Sequence, residues 1–258
     1  MDILDSIILS FVQGISEFLP ISSTGHLILT QWLLKMEQSE FLKSFDIIIQ
    51  CGSILAVIVL YWRVLLKNME VLKRIVIAFL PTSILGIIFY KIIKQYLLGN
   101  EKIVLWSLFL GGIALIIFEV YYREKKDAHE ELSTISYKNA FIIGLFQAIA
   151  MIPGVSRSAA TIIGGLVLGL KRKTIVEFSF ILAVPTMLAA TGLDLMKSWQ
   201  NFSASQWDFL IVGFFTSFVV ALAAIKSFLN FIKRYNFIPF GVYRLILALV
   251  FWLLILYK

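Results

Sequence analysis

Six stretches of the chain, at 45–62, 75–90, 103–122, 175–196, 209–225 and 237–257, are apolar almost throughout. A helix needs about 17–25 such residues to cross a bilayer, fewer where polar flanks reach back to the surface. Each stretch therefore predicts a spanning helix. Two further apolar segments are interrupted. Residues 7–32 read IILSFVQGISEFLPISSTGHLILTQW, broken by Glu17, Pro20, the Ser22-Ser23-Thr24-Gly25 run and His26. Residues 141–170 read FIIGLFQAIAMIPGVSRSAATIIGGLVLGL, broken by Pro153-Gly154 and Ser156-Arg157-Ser158. Proline removes a backbone donor and glycine frees the chain, so both breaks place polar main chain at membrane depth. That is tolerable only where protein covers it or a wet cavity receives it.

The two interrupted segments resemble each other. Gln13 precedes Pro20 by seven residues, Gln147 precedes Pro153 by six, and a hydroxyl-rich turn follows each. Further on, FDIIIQCGSILAVIVLY at 45–61 parallels EFSFILAVPTMLAATGL at 177–193. The order is kept, which predicts two repeats, each a broken segment followed by three spans. Cation placement bears on orientation. The loops at 63–74, 123–138, 171–173 and 226–236 hold 14 Lys and Arg, whereas the N-terminus, 33–44, 91–102, 197–208 and the C-terminus hold seven. With the first group in the cytoplasm every span alternates correctly, provided that each broken segment returns to the side it came from. The expected fold is thus an all-α integral membrane protein of six transmembrane helices plus two re-entrant helix-loop-helix segments. The segments enter from opposite faces in an inverted-topology repeat. One membrane domain, 1–258, is expected, with repeat halves at approximately 1–125 and 135–258.

Composition agrees. Hydrophobic residues make up 60% of the chain and charged residues 15%, with mean hydropathy +0.91, where soluble domains carry about a quarter charged residues. The net charge of +7 does not indicate nucleic acid, because the cations sit in short loops between apolar spans. The lone Cys51 excludes an intramolecular disulfide framework and a thiolate metal cluster. The start, MDILDSIILSFVQG, has acids where a secretory signal has Lys or Arg, so no cleaved leader is expected.

The breaks carry the candidate chemistry. Gln13 and Glu17 are spaced i, i+4 and project from one helix face. Ionisable residues in apolar segments are costly and by default functional, and the first break holds a carboxylate, Ser23 and one of only two histidines, His26. A carboxylate holds divalent cations, an imidazole moves protons near neutral pH, and a serine attacks or donates. The plainer alternative is a capped helix-turn-helix whose polar cluster merely packs. In the second break, Pro153–Thr161, a Gly154-containing turn leads into a helix and offers backbone donors to an anion. Arg157 adds a planar fork suited to phosphate, and Ser156, Ser158 and Thr161 add hydroxyls. Its plainer alternative is an Arg paired with Glu17 or a carbonyl for structure alone. Brought together, the breaks describe a site for a phosphorylated ligand at the membrane, with a divalent cation bridging Glu17 and phosphate. Elsewhere, His129 reads as a solvated loop residue and Glu177 as a helix-start carboxylate. Arg244 either snorkels or helps the site, and Gln50 and Ser53 either bond between helices or touch substrate. Trp62, Trp106, Trp199 and Trp207 read as interface anchors.

At these residues the sequence resembles the bacterial undecaprenyl-pyrophosphate phosphatases of the bacitracin-resistance type. The resemblance rests on QGISEFLPISSTGHLIL (13–29), FDIIIQCGSILAVIVLYW (45–62), PGVSRSAATIIGGL (153–166) and EFSFILAVP (177–185). It implies hydrolysis of a C55 isoprenyl pyrophosphate to the monophosphate and inorganic phosphate, which recycles the lipid carrier of cell-wall synthesis and confers bacitracin resistance. Carried over by position, the family's acidic motif falls on Gln13 and Glu17. Gln13 removes one metal-ligand charge there and is assigned polar support. The family's catalytic His and motif Ser fall on His26 and Ser23, and its phosphate-binding Ser, Arg and Thr on Ser156, Arg157 and Thr161. The resemblance further implies a divalent cation, Mg2+ or Ca2+, and a bacterial cell membrane location with the site open to the outer side. The attacking group stays open among Ser23, His26 and a water. Expected partners are the polyprenyl pyrophosphate, membrane lipid and, as one option for assembly, a homodimer partner, with no nucleic acid. A lipid-phosphate flippase or transporter is the competing reading, since broken helices in inverted repeats also build transporters.

Overall fold

The computed structural model describes residues 1–97, 100–124, 131–198 and 206–256. It is all-helical. The helices are α1 (Ile3–Ser16), α2 (Ser23–Leu33), α3 (Glu40–Lys67), α4 (Met69–Ile92), α5 (Glu101–Tyr121), α6 (Tyr137–Ile149), α7 (Arg157–Val167), α8 (Arg172–Ser198), α9 (Trp207–Phe231) and α10 (Ile238–Leu256). Six of these, α3, α4, α5, α8, α9 and α10, are long and apolar enough to cross a membrane. They are the six expected stretches.

Their boundaries run past the apolar runs. The cation-bearing stretch 63–74, expected as a loop, is helical apart from Asn68, whose side chain accepts from the Val71 amide and restarts the helix. Long Lys and Arg side chains extend into solvent from a continuing helix, so charge alone does not end one. At the other end of α4 the chain continues through a π-helical turn, Ile93–Leu97, where a loop was expected. The starts of α3, α5 and α6 follow caps: Ser39, Asn100 and Ser136 accept from amides in the first turn.

Helix α8 is the most enclosed. Of its apolar window 61% is buried, against 22–33% in the other five, and Phe178, Phe180, Ile181, Leu182 and Ala183 are fully shielded. It packs against α3, α7 and α4. Around it the pairing is regular: α1 lies along α9, α6 along α4, and α5 along α10. The outward faces of these helices carry large apolar residues such as Ile87, Ile117, Phe215 and Leu253, as lipid contact requires.

Charges gather at the helix ends. Arg172 is paired with the buried Glu119 through both guanidinium nitrogens, approaches Glu124 at 3.8 Å and stacks over Tyr122 and Phe237. Arg74 reaches the Ile135 carbonyl and Glu70. Glu177 sits 3.9 Å from Lys173, one turn into α8, as a helix-start carboxylate. Trp62 lies against Arg63 and Lys67, and Trp106 against Trp252. His129 and Trp199 lie outside the described residues.

Candidate active site

The breaks fall where the pattern put them, between α1 and α2 and between α6 and α7. Each is covered by protein. Phe18, Pro20, Ile21 and Ser22 are buried in the first, Pro153 and Gly154 in the second. Both turns bend sharply. Ser22 adopts φ 73°, rare for a residue with a Cβ and a place where backbone strain is held. Gly154 adopts φ 90°, and a Cβ on it would sit 2.6 Å from the Val104 carbonyl oxygen. Only glycine fits there, for both reasons.

The two turns meet. Arg157, first residue of α7, donates from Nη2 to Glu17 Oε1 at 3.3 Å and from Nη1 to the Ser179 carbonyl at 2.9 Å. Gln13, one turn before Glu17, donates to Glu17 Oε2 at 2.8 Å. The Glu17 and Arg157 side chains are 5% and 12% exposed, so the pair is shielded from bulk water. Ser158 donates to the Phe18 carbonyl at 2.8 Å and Ser156 to the Leu19 carbonyl at 3.5 Å. These hydroxyls lash the second turn to the first. Ser156 also caps α7 by accepting from the Ala159 amide. Thr161 bonds the Arg157 carbonyl at 3.0 Å and shares a 2.5 Å contact with Ser179. Ser179, on α8, belongs to the same network and was not singled out in the sequence, where it is one more serine in an apolar helix.

Two polar atoms at the meeting point are buried without a partner, Gln13 Oε1 and Arg157 Nε. Buried polar groups are normally satisfied, so this unpartnered acceptor and donor are exceptions within an otherwise bonded cluster. The amides at the start of α7 add donors favourable to an anion. Among the described residues no three His, Cys, Asp or Glu side chains cluster as a metal nest.

Ser23 and His26 occupy the first turn of α2, three residues apart and so on one face. His26 is buried. Its Nδ1 lies 2.7 Å from the Ser22 carbonyl and its Nε2 2.7 Å from the Tyr243 hydroxyl. Arg244, the even choice between snorkelling and the site, does not snorkel. It is 1% exposed and donates to the carbonyls of Pro20, Gly154, Ser107 and Leu108. Ser53 bonds back to the Ile49 carbonyl of its own helix.

Six helices long and apolar enough to cross a membrane, packed around a shielded cluster of polar side chains, define a multi-pass membrane protein. A profile of the family described as bacitracin resistance protein BacA matches residues 6–250. The chain is 52% identical to the undecaprenyl-diphosphatase of Persephonella marina, covering 99% of this chain and all of the relative. It is 53% identical to that of Aquifex aeolicus, covering 95% and 96%, and 46% identical to that of Campylobacter jejuni, covering 98% and 95%. The chain belongs to the bacitracin resistance protein BacA family.

Proposed function

We propose that the chain hydrolyses undecaprenyl pyrophosphate to undecaprenyl phosphate and inorganic phosphate at the junction of the two turns. The observation that carries this is the junction itself. A carboxylate and an arginine 140 positions apart in sequence are joined at 3.3 Å inside an apolar bundle. Relatives of about half identity over the whole chain are named for this reaction.

The residues assign themselves by chemistry. Arg157 and the amides at the start of α7 neutralise the pyrophosphate and receive charge as the bridging bond breaks. Ser156, Ser158, Thr161 and Gly154 hold that turn in shape, and Gln13 holds the Glu17 carboxylate. The Ser22 carbonyl can only accept, so in neutral His26 the proton sits on Nδ1 and the lone pair on Nε2. Nε2 is therefore the basic atom at the reacting phosphorus. A water that it activates displaces lipid phosphate from the terminal phosphorus directly; where Ser23 Oγ attacks instead, a phosphoserine forms, and a second water activated at Nε2 hydrolyses it to inorganic phosphate and restores the serine. The electron pair of the broken bond leaves on the lipid phosphate.

The donor set fits a divalent cation that arrives with its substrate. Glu17 is one carboxylate and Gln13 Oε1 one uncommitted amide oxygen, both hard ligands. Mg2+ characteristically binds one or two carboxylates and completes its shell with phosphate oxygens and water. Bound there, Mg2+ or Ca2+ supplies neutralisation of phosphate charge.

An apolar groove of about 300 Å³ is lined by Leu85, Phe89, Leu145, Ile149, Met151 and Ile152 among others, the last of these next in sequence to Pro153-Gly154. We assign it to the first units of the prenyl tail, so that the tail stays in lipid while the head group reaches Arg157. The pairing of α1 with α9 and of α6 with α4 supports the inverted repeat. Each broken helix leans on the second span of the other half, as exchange of the halves requires. On that reading 1–258 is one domain of two halves, and the broken segments are re-entrant. The 14 cations of one loop set face the cytoplasm of a bacterial cell membrane, and the site faces outward.

The test against transport uses vesicles holding the purified protein and an isoprenyl pyrophosphate labelled at its terminal phosphorus. Release of labelled inorganic phosphate is expected. Movement of intact lipid between leaflets without release would replace hydrolysis by flipping.

A further inference from the structure

Tyr243 and Arg244 are adjacent on α10, and each grips a different part of the site. Arg244 is the largest fully buried side chain among the described residues, and every hydrogen bond recorded for it goes to a backbone carbonyl: Leu108 at 3.2 Å, Ser107 at 2.9 Å, Pro20 at 3.4 Å and Gly154 at 3.2 Å. A guanidinium buried without a carboxylate is a costly filler. The bundle makes room for it, since a Cβ at Gly111 of α5 would lie 2.1 Å from Arg244 Nη2. Pro20 and Gly154 are the corners of the two turns. One rigid planar group therefore sets the spacing between the carboxylate-bearing break and the phosphate-binding break. Tyr243 acts on the remaining group. Its ring stacks on His26 at 5.4 Å and 11°, and its hydroxyl donates to the Nε2 lone pair left by the Ser22 carbonyl.

We propose that Tyr243 and Arg244 are the positioning residues of this site. Arg244 fixes the distance between the two turns, and Tyr243 holds the His26 imidazole in place by its Nε2 atom until the pyrophosphate head group arrives. The kinetic half of this rests on the phosphatase reading; the structural half does not.

The test starts with the 15N spectrum of the full chain labelled at histidine in detergent. The chain has two histidines, and His129→Gln isolates the His26 signals. In Tyr243→Phe, which keeps the ring and removes only the hydroxyl, the Nε2 resonance is expected to move to that of a free lone pair while Nδ1 stays. Turnover should fall about tenfold at unchanged KM, the effect of one lost hydrogen bond of about 1.4 kcal/mol. Arg244→Lys keeps the charge but reaches fewer carbonyls, so kcat should fall and KM rise together in protein that melts as a single species. An unmoved Nε2 resonance in Tyr243→Phe, or wild-type kinetics in both variants, would overturn the proposal. If the wild-type chain releases no phosphate, the phosphatase reading fails, and the 15N shift still decides whether Tyr243 holds His26.

Discussion

The pair Glu17–Arg157 gives the sharpest quantitative expectation. Both side chains are nearly sealed from water, at 5% and 12% exposure, so solvent screening takes little from their attraction. Removing one partner of such a pair leaves a buried charge unpaired and costs about 3–5 kcal/mol. Glu17→Gln and Arg157→Gln should each lose about that much unfolding free energy. The double variant leaves no unpaired charge, so it should lose about 3 kcal/mol in place of the 6–10 that addition gives, a coupling of at least about 3 kcal/mol. The assay is denaturant unfolding in mixed micelles followed by tryptophan fluorescence, with phosphate release measured on the same preparations. Each single variant should lose about a hundredfold or more in kcat. The double should be no worse than the poorer single, because the two act as one unit. Additive losses of stability would refute the claim that this pair joins the two turns.

Gly154→Ala should destabilise by about 1–3 kcal/mol and abolish turnover, because its backbone sits at φ 90° and a Cβ meets the Val104 carbonyl; thermal melting and phosphate release check both. Ser158→Ala removes the 2.8 Å tie to the Phe18 carbonyl and should cost about 1 kcal/mol. With that tie gone, KM should rise as the turns loosen. Arg172→Gln strands Glu119, whose side chain is 1% exposed, and should cost about 3 kcal/mol without changing KM. Single cysteines placed at Asn100 and Ser136 in a Cys51→Ser background should label from opposite sides of intact cells, Asn100 from outside; labelling of both from one side would contradict the orientation.

Much of this was legible from pattern alone. The six spans follow from apolar runs, and both turns follow from Pro20 and from Pro153-Gly154, because lipid leaves no other use for such residues. Glu17 and Arg157 stood out as charges in apolar segments. Three things were out of reach. Cation-rich stretches looked like loops, although α3 and α4 continue through 63–74 with only Asn68 between them. Ser156, Ser158 and Thr161 stood out as hydroxyls beside the second turn, but nothing in their spacing told that they bond the first turn and α8. Arg244 and Tyr243 owe their place to partners 90 to 224 positions away, which no local spacing encodes. The nearest signal was an arginine several residues inside an apolar span, opposite a helix carrying Gly111-Gly112.

Phosphate release from a long-chain isoprenyl pyrophosphate by the purified chain, with and without a chelator, tests the central claim most directly. The account predicts release that needs a divalent cation and disappears in His26→Ala, in protein that still melts cooperatively. Undiminished release in His26→Ala, or none from folded wild-type protein, would contradict it.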